Sequence, residues 1–252
     1  MTAASPDAPA ANTTGSRKPY ASLAVLLAAG FGCVTVGWAF QPEPPPPGAT
    51  AEAPSEQEIK EKKLEVAIFG GGCFWCLEKP FDKLEGVIST TSGYTAGNVK
   101  DPTYYQVSAG FTGHTEAMKI VFDPEKIDYE TLLGMFWRNI DPFQVNGQFV
   151  DKGTQYRTAI CYTTPEQKKI AEKTLKEVEK RFDRTVATEL LPASEFYDAE
   201  DYHQNFYVKS PVRYNSYRAA CGRDPRLKEL WGDEAGGKKI LEKHSKKAAS
   251  EE

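Results

Sequence analysis

Three consecutive glycines, Gly70-Gly71-Gly72, separate an apolar, partly β-branched run at residues 64–69 (LEVAIF) from residues 74–84, where Phe74, Leu77, Phe81 and Leu84 recur at helical spacing. The first run reads as a strand and the second as a helix. Glycine weakens either element from within. The chain therefore passes from strand to helix at the glycines, and the first side chain beyond them is Cys73. Pro80 falls inside the helical stretch, where it kinks or shortens the helix.

Residues 87–94, after Gly86, read as a second strand, and residues 117–122 as a third, ended by Asp123-Pro124. Asp128 is a candidate N-cap for a helix that turns Leu132, Leu133, Phe136, Trp137 and Ile140 inward. Residues 157–163 read as a fourth strand. Thr164-Pro165-Glu166-Gln167 has the form of a capping box with proline at the first helical position, and it opens a helix to Phe182. Residues 186–191 are a further strand. The order β-α-β-β-α-β, followed by α-β, predicts an α+β fold: a two-layer ferredoxin-like (split βαβ) sandwich with an extended C-terminal tail. Beyond Pro192 the chain reads as loop and short helix, with Phe196, Tyr197, Tyr202, Phe206 and Tyr207 placed to wrap the sheet. The lysine-rich residues 238–247 read as a solvated helical tail.

The N-terminal quarter is of a different kind. Residues 1–16 are small and polar, and Arg17-Lys18 follow. Residues 20–40 (YASLAVLLAAGFGCVTVGWAF) then run without a charge, long enough to cross a bilayer core as a helix. The positive pair before them places the N-terminus in the cytoplasm and the rest of the chain outside. A cleaved signal peptide has a shorter apolar core and a small-x-small exit. Here the nearest such exit, Ala49-Thr50-Ala51, lies beyond a proline block, and Gly30-Phe31-Gly32 before Cys33 lacks the leucine of a lipid-attachment site. The expectation is an uncleaved membrane anchor with an extracytoplasmic domain; a secreted form is the alternative if the leader is cleaved. Four prolines at residues 44–47 favour an extended spacer. The expected organisation is a cytoplasmic segment at 1–19, the anchor at 20–40, a Pro-rich linker at 41–63, the folded domain at 64–232 and a charged tail at 233–252.

A net charge of −4 and the lack of a dense basic stripe argue against a nucleic-acid partner. Of five cysteines, Cys33 lies in the leader, and Cys73, Cys76, Cys161 and Cys221 lie in the folded part. Their spacing does not match paired metal knuckles, and His114 has too few histidine companions for zinc, so no metal is expected. A domain of this size does not need disulfide staples, which leaves redox chemistry as the better explanation of the close pair.

Cys73 stands at the first turn of its helix, where free N–H groups and the positive end of the dipole favour a thiolate. Phe74 and Trp75 beside it supply apolar surface, so the substrate is expected to carry an apolar group. Cys76, three residues on, can face the same side. In residues 110–122 (GFTGHTEAMKIVF), Glu116 enters a strand whose Met118, Ile120 and Phe122 share its face. A carboxyl at the rim of an apolar face has a raised pKa and can act as a general acid, although alone Glu116 reads as an exposed edge residue. Asp151 and Tyr156 lie in a glycine-containing loop, residues 148–157, and would otherwise be ordinary turn and packing residues. Cys161, in TAICYT, reads as inert core.

Together these segments resemble the MsrA family of peptide methionine-S-sulfoxide reductases. The resemblance rests on Gly72-Cys73-Phe74-Trp75, on Ser92-Gly93-Tyr94-Thr95-Ala96-Gly97, on Pro102-Thr103-Tyr104 and on Thr112-Gly113-His114-Thr115-Glu116. Phe122-Asp123-Pro124, Asp151-Lys152-Gly153-Thr154-Gln155-Tyr156-Arg157 and Asp201-Tyr202-His203-Gln204 extend it in the same order. It implies that Cys73 attacks the sulfoxide sulfur, that Glu116 protonates its oxygen, and that Tyr104, Tyr156 and Asp151 assist. It also implies that Phe74 and Trp75 cradle the substrate methyl group. Attack would leave a sulfenic acid on Cys73; a second thiol, Cys76 or Cys221, would then close a disulfide for a thioredoxin-like dithiol to reopen. No bound cofactor is implied, and a monomer is expected. The chain departs from the pattern at Cys76, where many members have glycine, and at Cys221, where many have a glycine-rich tail. A thioredoxin-like disulfide oxidoreductase using Cys73 and Cys76 is the rival enzyme, and a non-catalytic anchored binding domain is a third reading; the first leaves Glu116, Tyr104 and Tyr156 without a role.

Overall fold

The computed structural model describes Pro46, Ala49 and residues 52–251, within the unit Glu43–Glu252. The expected anchor at 20–40, the segment at 1–19 and most of the proline spacer lie outside the described residues. No helix among the described residues is long and apolar enough to cross a membrane.

A short helix α1 (Glu56–Glu61), opened by a capping box between Ser55 and Glu58, leads into β1 (Glu65–Gly71). Then come α2 (Trp75–Asp82), β2 (Val87–Thr95), the short helix α3 (Tyr104–Ser108), β3 (Thr115–Phe122) and α4 (Tyr129–Trp137). A two-stranded ribbon of β4 (Gly147–Gln148) and β5 (Asp151–Lys152) precedes β6 (Thr158–Tyr162) and α5 (Pro165–Phe182). The chain ends with β7 (Glu189–Pro192), β8 (Tyr197–Asp198), α6 (Phe206–Lys209), α7 (Pro211–Ala220), α8 (Arg223–Trp231) and α9 (Lys238–Glu251).

The sheet runs β7-β6-β1-β3-β2-β8. Its inner strands β6-β1-β3-β2 are antiparallel and make the expected split βαβ arrangement. β7 adds in parallel after the α5 crossover, and β8 pairs with the outer edge of β2. The central strands β1 and β3 are covered on both faces. Ala67, Phe69, Met118, Ile120 and Phe122 point to the helices, against Leu77, Phe81, Leu132, Leu133 and Phe136. Ile68, Ala117, Ala159 and Cys161 point the other way, under Leu191 and Phe196. Phe69 is fully buried with its ring 5.0 Å from that of Phe136; its truncation to alanine would cost about 3–5 kcal/mol.

Asp128 caps α4 as expected, accepting the Thr131 N–H at 2.6 Å. At α5 only half of the anticipated box forms. Thr164 accepts from the Gln167 N–H, but the Gln167 side chain accepts from Thr163 N–H and donates to Val66 O, tying the helix to β1 instead. The strand expected at 186–191 begins only at Glu189, because the N–H groups of Val186 and Ala187 are taken by Glu179 and by the Pro142 carbonyl. The lysine-rich end is helical, but not wholly solvated: Ile240 and Leu241 of α9 pack on the core.

The tail is docked by polar groups buried on α2. Glu78 accepts the Asn205 N–H at 2.9 Å, and Asp82 accepts from the Thr90 hydroxyl at 2.7 Å and the Tyr207 hydroxyl at 2.8 Å. These bonds carry α6 and α7 across the start of α2, which is where Cys73 lies.

Candidate active site

The turn between β1 and α2 admits only glycine at its tightest points. Gly72 has φ +77°, and a Cβ there would come within 2.5 Å of Gln148 Cβ. A Cβ on Gly71 would meet Leu77 Cδ1 at 2.1 Å. Cys73 follows at once, its carbonyl accepting the Cys76 N–H at 3.1 Å, so both sulfurs belong to the first turn. Pro80 lies inside α2, which ends at Asp82, two residues short of the expected Leu84. Having no N–H, Pro80 cannot bond the Cys76 carbonyl; Arg218 of α7 donates to that oxygen at 3.1 Å.

Glu116 reaches the same turn through sheet register. The β1–β3 pairing ends at Phe69 opposite Met118, so Glu116 lies just past the last paired residues, beside the glycines. Its side chain is 2% exposed, and its Oε2 accepts the Phe74 N–H at 3.1 Å. It is not the exposed edge carboxylate that its neighbourhood in sequence alone would suggest. Burial pushes its pKa up to about 8, outweighing the Phe74 N–H, which lowers it. At neutral pH it is a protonated acid.

Cys73 is buried, and its thiol is pushed well above the ordinary range, first by burial and then by the acidic groups Glu116, Cys76 and Asp151, whose ionised forms repel a thiolate. The thiolate expected from the helix start is therefore not favoured in this closed site; withdrawal from water outweighs the few N–H groups of an eight-residue helix. A single hydrogen bond opposes the rise, from the Tyr217 hydroxyl. In the resting site the single Tyr217 proton is donated to Asp151 Oδ2, so it turns to Cys73 only when a thiolate forms there. Sequence reasoning missed Tyr217: the aromatic stretch before Cys221 signalled tail packing but did not single out one ring.

Tyr104 and Tyr156 are half-buried, and both hydroxyls lie within electrostatic reach of Glu116, Cys73 and Asp151. Burial pushes Tyr104 up to about 12 and raises Tyr156 as well, so both stay protonated donors. Glu200 positions Tyr104, accepting its N–H at 2.8 Å and the Tyr94 hydroxyl at 2.8 Å. The five groups Cys73, Glu116, Tyr104, Tyr156 and Asp151 thus converge from α2, β3, α3 and the β5–β6 segment.

Phe74 and Trp75 divide their roles. Phe74 is 2% exposed and packs with Tyr94, Val107 and Ala199. Trp75 is half-buried, stacked on Phe206 at 3.7 Å, with its indole N–H donated to His203 Nδ1 at 3.0 Å. His203 is buried between Phe74 and Tyr104, and burial lowers its pKa to about 4, so it is a neutral acceptor for the indole. Gln204 pins the same segment to Ser92 with bonds of 2.8 and 2.9 Å.

Cys76 and Cys221 meet. Their interaction raises Cys76 and lowers Cys221 to about 6, while the Cys221 sulfur donates to the Arg218 carbonyl at 3.2 Å. All four described cysteines are free thiols, and Cys161 is fully buried in β6 with its pKa pushed up to about 12 by burial, as inert core. His114 is buried with its ring nitrogen 2.7 Å from the Val99 carbonyl, and no group of acids, histidines and cysteines able to hold a metal occurs among the described residues.

Comparison with known proteins agrees with this geometry. The family model described as "Peptide methionine sulfoxide reductase" matches residues 65–235. The peptide methionine sulfoxide reductase MsrA of Bacillus velezensis is 48% identical over 177 residues, 69% of this chain and 99% of that protein. The MsrA of Bacillus subtilis is 46% identical over 176 residues, again 69% and 99%. Among solved structures, methionine sulfoxide reductase A of Corynebacterium diphtheriae superposes with a TM-score of 0.57 at 32% identity, covering 67% of this chain and 84% of that one. Residues 65–235, with Cys73 at the strand-to-helix turn and Glu116 buried beside it, place the chain in the peptide methionine sulfoxide reductase family.

Proposed function

We propose that the chain reduces the S-epimer of methionine sulfoxide, free or in proteins, to methionine, with Cys73 as nucleophile and Glu116 as general acid. The observation that carries this reading is the Glu116 carboxyl, 2% exposed and held 3.1 Å from the Phe74 N–H of the Cys73–Phe74 turn, where burial raises its pKa. A sulfoxide is a poor electrophile until its oxygen is protonated or hydrogen-bonded. Glu116, with the Tyr104 and Tyr156 hydroxyls, supplies that assistance. Oxygen passes from methionine sulfur to Cys73 sulfur, two electrons pass the other way, and the thiol hydrogen ends on the sulfenic hydroxyl. Trp75, and Phe74 behind it, offer the apolar wall for the methyl group.

The sulfenic acid then condenses with the Cys76 thiol, releasing water and closing a Cys73–Cys76 disulfide. Cys221, already in contact with Cys76, relays it outward to a thioredoxin-like dithiol. The enzyme works without a bound cofactor, as a monomer, held to the outer face of a membrane through residues 20–40 or secreted if the leader is cleaved. A pure thiol-disulfide oxidoreductase gives no purpose to a buried acid and two phenols around Cys73.

The test is stoichiometric. One enzyme without reductant should form one or two methionines from the S-sulfoxide, and the first disulfide trapped should join Cys73 to Cys76. Insulin reduction without methionine release would favour the oxidoreductase. A first bond between Cys73 and Cys221, with Cys76→Ser turning over normally, would refute the order of thiols.

A further inference from the structure

Seven large apolar side chains are exposed among the described residues. Scattered singly, such residues are ordinary on a protein surface. Here four of the seven stand beside residues of the site. Tyr105, 80% exposed, follows Tyr104 on α3. Val150 is exposed and precedes Asp151. Tyr202 is exposed, with its ring 4.2 Å from that of His203, which lies 4.4 Å from the Tyr104 ring. Phe111, 66% exposed, follows Gly110 in the loop before β3. That loop rests on the residue before Tyr156: Gln155 Nε2 donates to the Ser108 carbonyl at 2.9 Å, and a Cβ on Gly110 would meet Gln155 Oε1 at 3.3 Å. Neighbouring Cα atoms are about 3.8 Å apart, so each of the four side chains starts within a few ångströms of the site. Helix α5 shows the contrast: apart from Pro165, each of its exposed residues is charged.

A methionine held in a polypeptide does not enter such a site alone. Once its side chain reaches Cys73, the chain on either side must lie over the surface around the site. In an extended segment side chains alternate, so the residues two places before and two places after the methionine point to the same side as it does, each roughly 6.5 Å along the chain. An apolar side chain there leaves water together with the exposed surface it covers, and an aromatic one gains a ring contact with Tyr105 or Phe111. A carboxylate there would lose water against the same rings and stand near Asp151 and Glu200, which share its charge.

We propose that Tyr105, Phe111, Val150 and Tyr202 form an apolar rim that selects protein-bound methionine sulfoxides by their neighbours, favouring apolar residues two places away on either side. The selection rests on the reading that Cys73 and Glu116 reduce the sulfoxide, and it names which sulfoxides reach them. Segments with apolar residues around a methionine are those a folded protein keeps inside. Oxidation makes the methionine side chain polar and disrupts such a core. The rim thus directs the enzyme to core segments exposed in damaged, partly unfolded chains.

The test uses the full chain, dithiothreitol as reductant and two end-blocked pentapeptides with methionine S-sulfoxide at the centre. One has alanine at the other four positions; the second has phenylalanine at its first and last positions. The phenylalanine peptide should be reduced with a kcat/KM about tenfold higher, equivalent to about 1.4 kcal/mol, and the gain should lie in KM. In the double variant Tyr105→Ser, Phe111→Ser the ratio between the peptides should fall to about three or less. Both side chains are exposed, so the fold should survive their loss, and a ratio taken within one protein cancels any general change in activity. A wild-type ratio near one would overturn the proposal. So would a double variant that keeps the ratio; a raised KM for a thioredoxin in that variant would then assign the rim to the reductant. If neither peptide yields methionine in the wild type, the reading of Cys73 and Glu116 falls, and the rim with it.

Discussion

Replacing Glu116 by Gln tests the chemical centre of the site with little change of shape. The amide oxygen of glutamine can still accept the Phe74 N–H now taken by Glu116 at 3.1 Å, so the turn that presents Cys73 keeps its buried bond. The carboxyl proton is lost. If Glu116 protonates the sulfoxide oxygen, the first methionine released in a rapid-quench, single-turnover experiment should slow by about 10²–10⁴-fold. The wild-type rate should also fall about tenfold per pH unit above about 8, where the acid ionises, and the variant should lack that limb. Stability supplies a second readout with an opposite sign. Glu116 holds its proton in the folded chain up to about pH 8 but loses it near 4.5 when unfolded, so its contribution is fully present below pH 4.5 and is lost as pH rises through 8. The whole rise corresponds to about 5 kcal/mol at most. At pH 8 the Gln variant should therefore be less active yet more stable to urea than wild type. An unchanged single-turnover rate, or a variant that is both slow and less stable at pH 8, would refute the assignment and make Glu116 a packing residue.

Cys73→Ser should abolish methionine formation, because a hydroxyl is far less nucleophilic than a thiol; a burst of normal amplitude would end the proposed mechanism. Tyr217→Phe removes the hydroxyl that donates to Asp151 and can turn to a Cys73 thiolate, and the methionine burst should slow by about tenfold, on the scale of one charge-assisted hydrogen bond of about 1.5–3 kcal/mol; an unaltered burst would make Tyr217 a tail-packing residue. In cell fractionation the domain should sediment with membranes and be cut by protease added outside, because residues 20–40 are long and apolar enough to span. Recovery only from the soluble cytoplasm would dismiss the anchor.

Much of the fold was legible from residue order alone. The alternation through residues 117–122, the stripe Leu77–Phe81–Leu84 and the caps at Asp128 and Thr164 are local properties, and local geometry turned them into the expected strands and helices. The glycines and Cys73 were legible for the same reason: a strand, a turn and a helix start lie within a dozen consecutive residues. What sequence left open depends on contacts between distant segments. Whether Glu116 is an exposed edge residue or a buried acid turns on the two-residue offset between the end of the β1–β3 pairing and the Cys73 turn. Whether Cys73 rests as a thiolate turns on how completely Tyr217 and the tail exclude water, and burial outweighs the helix start. Cys221 reaches Cys76 because Glu78 and Asp82, buried on α2, anchor Asn205 and Tyr207 and bring α7 with them. Residue types along the chain named the chemistry. Protonation states and thiol partners were decided by desolvation and long-range packing, which a linear order of residues does not contain.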